Sequence, residues 1–109
     1  EMLAMRYLQE QGYAIHELNW RSGHKELDIV AQERDVLVFV EVKSRASEQY
    51  GNASDAVDDN KIRLLISAAQ SYILKYKLDC RFRFDIITVI GKCEPYRIEH
   101  IEDAFAPQW

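Results

Sequence analysis

The chain has 109 residues, with 14 Lys plus Arg against 18 Asp plus Glu, for a formal net charge of -4. Its 29% charged and 48% hydrophobic content is that of an ordinary globular protein, which excludes a disordered tail or a disulfide scaffold. One domain, 1–109, with a single core is expected at this length. The acidic balance argues against a protein that coats polyanions through excess Lys and Arg.

Cys80 and Cys93 lie too far apart for a CxxC motif and lack clustered histidines. Reduced thiols in a cytoplasmic protein are therefore expected, not a zinc site. No apolar run approaches the ~18 residues that span a bilayer. No charged-then-apolar signal segment is present either, so no membrane partner is expected.

From Met2 to Gln11, Leu3, Tyr7 and Leu8 recur at helical spacing, and Gly12 is placed to stop the helix. Residues 13–20 alternate loosely and read as a strand. Lys25 to Gln32 is clearer, with Leu27, Ile29 and Ala31 alternating with Glu26, Asp28 and Val30. Glu33-Arg34-Asp35 is a polar turn, and Val36 to Lys43 comes next as a strand rich in Val and Phe, which makes a hairpin. The second strand is almost continuously apolar until its charges arrive, the pattern of burial on both faces in mid-sheet.

Residues 44–59 are loop-like, with Ser54 or Asp55 as a cap for the next helix. Ile62, Leu65, Ala69, Tyr72, Ile73 and Tyr76 mark one face of that helix, which is long. Phe82 to Ile90 is a strand, Gly91-Lys92 a turn, and Tyr96 to Ile101 a last, shorter strand. The order α-β-β-β-α-β-β predicts an α/β domain, a mixed central sheet flanked by helices.

The hairpin carries charges that a stability argument does not absorb. Alternation puts Glu26 and Asp28 on one face of the first strand, and Glu41 and Lys43 on one face of the second. A turn at residues 33–35 brings position 28 near position 41. Two like charges about 4 Å apart repel by roughly 4 kcal/mol at an effective dielectric of 20. A bound Mg²⁺ or Mn²⁺ removes the objection, because such hard cations take oxygen ligands. The plain alternative is an edge salt bridge of Lys43 with Glu41, an interaction worth little. A second acid-x-Lys triplet, Asp59-Asn60-Lys61, falls at a helix start and looks incidental.

Glu26-Leu27-Asp28-Ile29-Val30-Ala31, followed by Leu37-Val38-Phe39-Val40-Glu41-Val42-Lys43-Ser44-Arg45, resembles the YraN family of predicted endonucleases. Arg6-Tyr7-Leu8 with Gly12-Tyr13, Asn19-Trp20-Arg21, Ala56-Val57 with Lys61, Ala68-Ala69, Arg83-Phe84-Asp85 and Ala104-Phe105 extend the resemblance over nearly the whole chain. That family is placed in the PD-(D/E)xK superfamily and is distantly similar to archaeal Holliday-junction resolvases. The resemblance implies a restriction-endonuclease-like three-layer domain and metal-dependent hydrolysis of DNA phosphodiesters, with branched or junction DNA among the substrates. It also implies a homodimer. By motif, Asp28 resembles the acid of the PD half, and Glu41 with Lys43 resembles the ExK half. The same resemblance makes Asp28 and Glu41 the ligands of Mg²⁺ (or Mn²⁺). Glu26 matches the acid two residues before the aspartate, although Lys25 stands where many relatives have Gly. Glu1 resembles the glutamate on the first helix that often completes such sites.

Nucleic acid, DNA foremost, is the expected partner. Arg21, His24, Lys25, Lys43 and Arg45 fall near the ends of the site strands, and Lys61 and Arg63 begin the long helix; all are candidates for phosphate contact. Trp20 and Tyr50 are candidates for stacking on bases, with a core role favoured for Trp20. His16 and His100 read as packed or solvent-facing rather than as ligands. Tyr72 and Tyr76 read as core. Asp85 either extends the acidic site or pairs with Arg83. The rival to the enzyme is a catalytically inactive module that keeps the fold and binds nucleic acid or protein.

Overall fold

The apolar face of the first helix is one stripe. Ala4 and Leu8, one turn apart, are its buried residues in α1 (Met2–Glu10). Gly12 ends the helix at φ 95°, a conformation that glycine adopts without penalty. The Tyr13 amide donates back to the Leu8 carbonyl at 2.9 Å, which closes the C-terminal turn. These details come from a computed structural model, which describes residues 1–46 and 59–106.

The remaining elements are β1 (Ala14–Ser22), β2 (Lys25–Glu33), β3 (Val36–Arg45), α2 (Asp59–Lys75), β4 (Arg81–Ile90) and β5 (Arg97–Phe105). The five strands form one sheet in the order β1-β2-β3-β4-β5. Neighbours are antiparallel except β3 and β4, which run parallel from Val36↔Arg81 to Arg45↔Ile90. Parallel neighbours need a crossover connection, and α2 lies in it. The continuous run Leu37-Val38-Phe39-Val40 is buried on both faces of the central strand, as its pattern predicts.

Two cores result, one on each side of the sheet. Leu65, Ala68, Ala69 and Tyr72 of α2 pack with Trp20, Leu27, Val30, Leu37, Phe39, Phe84 and Ile86. Ala4 and Leu8 of α1 pack with Tyr13, Ile29, Ala31, Val38, Val40, Ile87 and Val89 on the opposite face. A helix on each face of a mixed five-stranded sheet makes a three-layer α/β architecture.

Two expectations change. The last strand is not short, for β5 runs on to Phe105; its His100 is satisfied by Tyr7 and Asp85, and its Glu102 by Tyr13 and Arg83. Tyr76 is 43% exposed, because α2 ends at Lys75 and the tyrosine lies just beyond its last turn. Trp20, by contrast, is buried in the α2-side core. The proposed caps Ser54 and Asp55, and Tyr50, lie outside the described residues. Among the described residues no helix is long and apolar enough to cross a membrane.

Candidate active site

Leu27 and Ile29 stand two apart on β2 and would share a face in an unbroken strand. Here Leu27 enters the α2-side core and Ile29 the α1-side core. The reversal centres on Asp28. On one side of it the β1 pairing passes from Leu18↔Ile29 to Trp20↔Leu27, and Asn19 between them has φ 53°. Asparagine tolerates that left-handed conformation better than most side chains. On the other side the β2–β3 pairing ends at Ile29↔Val40. Asp28 therefore sits where the ladder opens, and its carboxylate takes over a backbone role. Asp28 Oδ2 accepts the Val42 amide at 2.9 Å.

That bond holds Asp28 against the segment that carries the other two residues of the motif. Glu41 lies on the α2-facing side of β3, in phase with Leu37 and Phe39, and its side chain is only 5% exposed. Lys43, two residues on, places Nζ 3.8 Å from Glu41 Oε1. A second ammonium comes from the first turn of α2, where Lys61 Nζ lies 3.7 Å from the same oxygen. Burial, the Asp28 charge and a hydrogen bond with Asp28 push the Glu41 carboxyl up to about 7, against the opposing pull of Lys61 and Lys43. Two lysines do not fully offset the loss of water and the neighbouring acid. The Lys43–Glu41 salt bridge expected as the plain alternative is present, but it lies on the central strand with Glu41 buried and is one part of a crowded cluster.

The donor chemistry fits a hard divalent cation. Two adjacent carboxylates supply oxygen ligands, and Mg²⁺ is commonly held by one or two carboxylates with waters and substrate phosphate completing its shell. Thr88 pairs with Lys43 across β3–β4 and, in phase with Phe84 and Ile86, faces α2. Its Oγ1 is buried without a hydrogen-bond partner among the described residues.

The other candidates are placed differently. Among the described residues no third Asp, Glu, His or Cys joins Asp28 and Glu41 as a metal-holding group. Glu26 is exposed and pairs with Arg21 across β1–β2 at 3.8 Å, so the face it was expected to share with Asp28 is lost at the kink. Glu1 is exposed ahead of α1 and makes no side-chain capping bond. Lys25 donates to Ser71 of α2 at 3.4 Å, and His24 is exposed in the β1–β2 turn. Arg45 closes β3, where its carbonyl accepts the Gly91 amide at 2.8 Å.

A second polar cluster, on the α1 face, was only half visible in the sequence. Asp85 is fully buried on β4 and accepts from Arg83 Nε at 3.0 Å, His100 Nε2 at 2.7 Å and the Asp103 amide at 3.0 Å. A carboxylate can only accept, so His100 carries its proton on Nε2. In the neutral ring Nδ1 then accepts from Tyr7 Oη at 3.1 Å. Burial works to raise the Asp85 carboxyl, but the bonds from His100, Arg83 and Asp103 outweigh it and hold it below the usual range. Arg83 also reaches Tyr13 and Glu102. Asp85 thus pairs with Arg83 and does not extend the Asp28–Glu41 site. The signal for this network was the Arg83-x-Asp85 alternation; its partners Tyr7 of α1, Tyr13 just before β1, and His100 and Glu102 of β5 are remote in sequence.

An α/β domain with a carboxylate–lysine cluster on a kinked hairpin is the class that fold and site define. The profile of the uncharacterised protein family UPF0102 matches residues 1–89. A UPF0102 protein of Phocaeicola vulgatus is 49% identical over 104 residues, covering 95% of this chain and 86% of that protein. One from Bacteroides thetaiotaomicron is 48% identical over 107 residues, covering 98% and 88%. One from Flavobacterium psychrophilum is 45% identical over 105 residues, covering 96% and 88%. The chain belongs to the UPF0102 family.

Proposed function

We propose that this UPF0102 protein is a metal-dependent, endonuclease-like hydrolase of nucleic-acid phosphodiesters, DNA foremost, on a restriction-endonuclease-like fold. The observation that carries the reading is the meeting of Asp28 and Glu41 with Lys43 at the one point where β2 and β3 part. Asp28 and Glu41 would hold a divalent cation, which when bound would supply Lewis acidity toward a phosphodiester oxygen. Asp28, fixed by the Val42 amide, presents its carboxylate without searching rotamers. Glu41 gives up its proton before it serves as a ligand, so cation binding strengthens as pH rises through about 7. Lys43 stands on the same face with its ammonium partly open to solvent, placed to orient a water or to offset negative charge on the phosphoryl oxygens. Branched or junction DNA is the first substrate class to try, with a homodimer as the working form, both by analogy with resolvases.

The net charge of -4 does not oppose this reading, since part of it is gathered at the cation site. It predicts weak, salt-sensitive binding of nucleic acid that depends on the metal. Calorimetric titration with Mg²⁺ or Mn²⁺ tests the proposal. Binding by the wild type that disappears in Glu41→Ala supports the enzyme. Absence of millimolar binding favours the non-catalytic module.

A further inference from the structure

Glu41 Oε1 is approached by two ammonium groups, at 3.8 Å from Lys43 and 3.7 Å from Lys61. Together the two lysines present the charge of one divalent cation to the Glu41 carboxylate. Both distances exceed a hydrogen bond, so the contacts are electrostatic and loosely directed. The two lysines are nonetheless held differently. Lys43 shares strand and face with Glu41, and its side chain is 27% exposed. Lys61 reaches in from the first turn of α2, and its side chain is 43% exposed. Its flexible stem can therefore carry the ammonium out to water without disturbing the sheet.

We propose that Lys61 is a built-in counter-ion that holds the place of the divalent cation at Glu41 and must leave that oxygen when the cation enters. The inference rests on reading Asp28 and Glu41 as a cation site and adds how its loading is regulated. A divalent cation that took Glu41 as a ligand would meet strong like-charge repulsion from an ammonium held against the same carboxylate. Lys61 therefore competes with the metal. It tempers the affinity of the free protein and offsets part of the Glu41 charge while no metal is bound. The triplet Asp59-Asn60-Lys61, incidental as a motif, puts this lysine in the first turn of α2.

The test is Mn²⁺ titration of the metal-free full chain, with free Mn²⁺ followed by electron paramagnetic resonance. Wild type, Lys61→Met, Lys61→Gln, Lys61→Arg and Arg63→Met are compared, with circular dichroism confirming that each is folded. Lys61→Met and Lys61→Gln are expected to bind Mn²⁺ about tenfold more tightly than wild type, since each removes the competing charge. Lys61→Arg should stay close to wild type. Arg63→Met, which removes an exposed charge on the same helix, should change affinity by no more than about twofold because water and salt screen it. Wild-type binding with no tightening in either neutral Lys61 variant overturns the proposal and leaves the cation site standing. Equal tightening in Arg63→Met also overturns it, by reducing the effect to net charge. Failure of all five proteins to bind refutes the cation site itself, and the role of Lys61 falls with it.

Discussion

Glu41→Gln isolates the energetic consequence of placing a carboxyl at 5% exposure beside Asp28. The substitution keeps shape and hydrogen-bonding capacity and removes the proton equilibrium. In the unfolded chain Glu41 titrates near the ordinary value of about 4.3; in the folded protein it titrates at about 7. A raised folded value means that the native state binds the proton more tightly. The associated stability is fully present below the unfolded value and is lost as pH rises through about 7. At about 1.4 kcal/mol per pH unit, wild type should lose roughly 2–3 kcal/mol between about pH 5 and pH 8 relative to Glu41→Gln. The assay is urea denaturation of both proteins with chelator present, followed by circular dichroism across that range. Free energies of the two proteins that run parallel from about pH 5 to pH 8 would refute the reasoning, because Glu41 would then titrate normally. Adding Mg²⁺ at the upper end should restore stability to wild type and leave the variant unchanged.

Asp28→Asn keeps an acceptor for the Val42 amide and should fold normally. Asp28→Ala removes it and should cost about 1–3 kcal/mol in a denaturant titration. Any cleavage activity should be lost in both variants, and also in Lys43→Ala, whose loose pair contact predicts a stability change below about 1 kcal/mol. Asp85→Ala removes the fully buried acceptor shared by Arg83, His100 and the Asp103 amide, leaving Arg83 only its pairs with Glu33 and Glu102, and should cost about 3–5 kcal/mol. The lowered Asp85 value gives the opposite pH sign to Glu41: its stabilisation is complete above the ordinary carboxylate range and is lost as pH falls through the folded value. Acid unfolding of wild type should therefore be steeper than that of Asp85→Asn. Phe39→Ala, in the core between central strand and α2, should cost about 3–5 kcal/mol in the same titration.

The elements that packing dictates were legible. The apolar run at Leu37–Val40 marks a central strand by itself, and Ile62, Leu65, Ala69, Tyr72 and Ile73 mark the buried stripe of α2 by helical period. Tyr76 continued that period on paper but falls past the helix end, which apolar spacing does not register. The hairpin brought Asp28 and Glu41 together correctly, because a short turn fixes register. The phase reversal at Asp28 was not legible, since strict alternation assumes an unbroken strand; Asn19 was its local trace. Alternation across the break is also why Glu26 was expected beside Asp28 and is instead paired with Arg21. Lys61 at Glu41, Thr88 beside Lys43 and His100 on Asp85 all depend on contacts between elements distant in the chain. No local pattern encodes them.

The most direct test of the central claim is a cleavage assay on end-labelled nucleic acids, linear duplex, single strand, flap, four-way junction and RNA, with Mg²⁺ or Mn²⁺. Wild type should cut at least one of them, most readily a branched DNA, and chelator, Asp28→Asn or Glu41→Gln should each abolish the product. Intact substrates throughout the panel, or equal cutting by Glu41→Gln, would contradict a cation-dependent nuclease site at Asp28, Glu41 and Lys43.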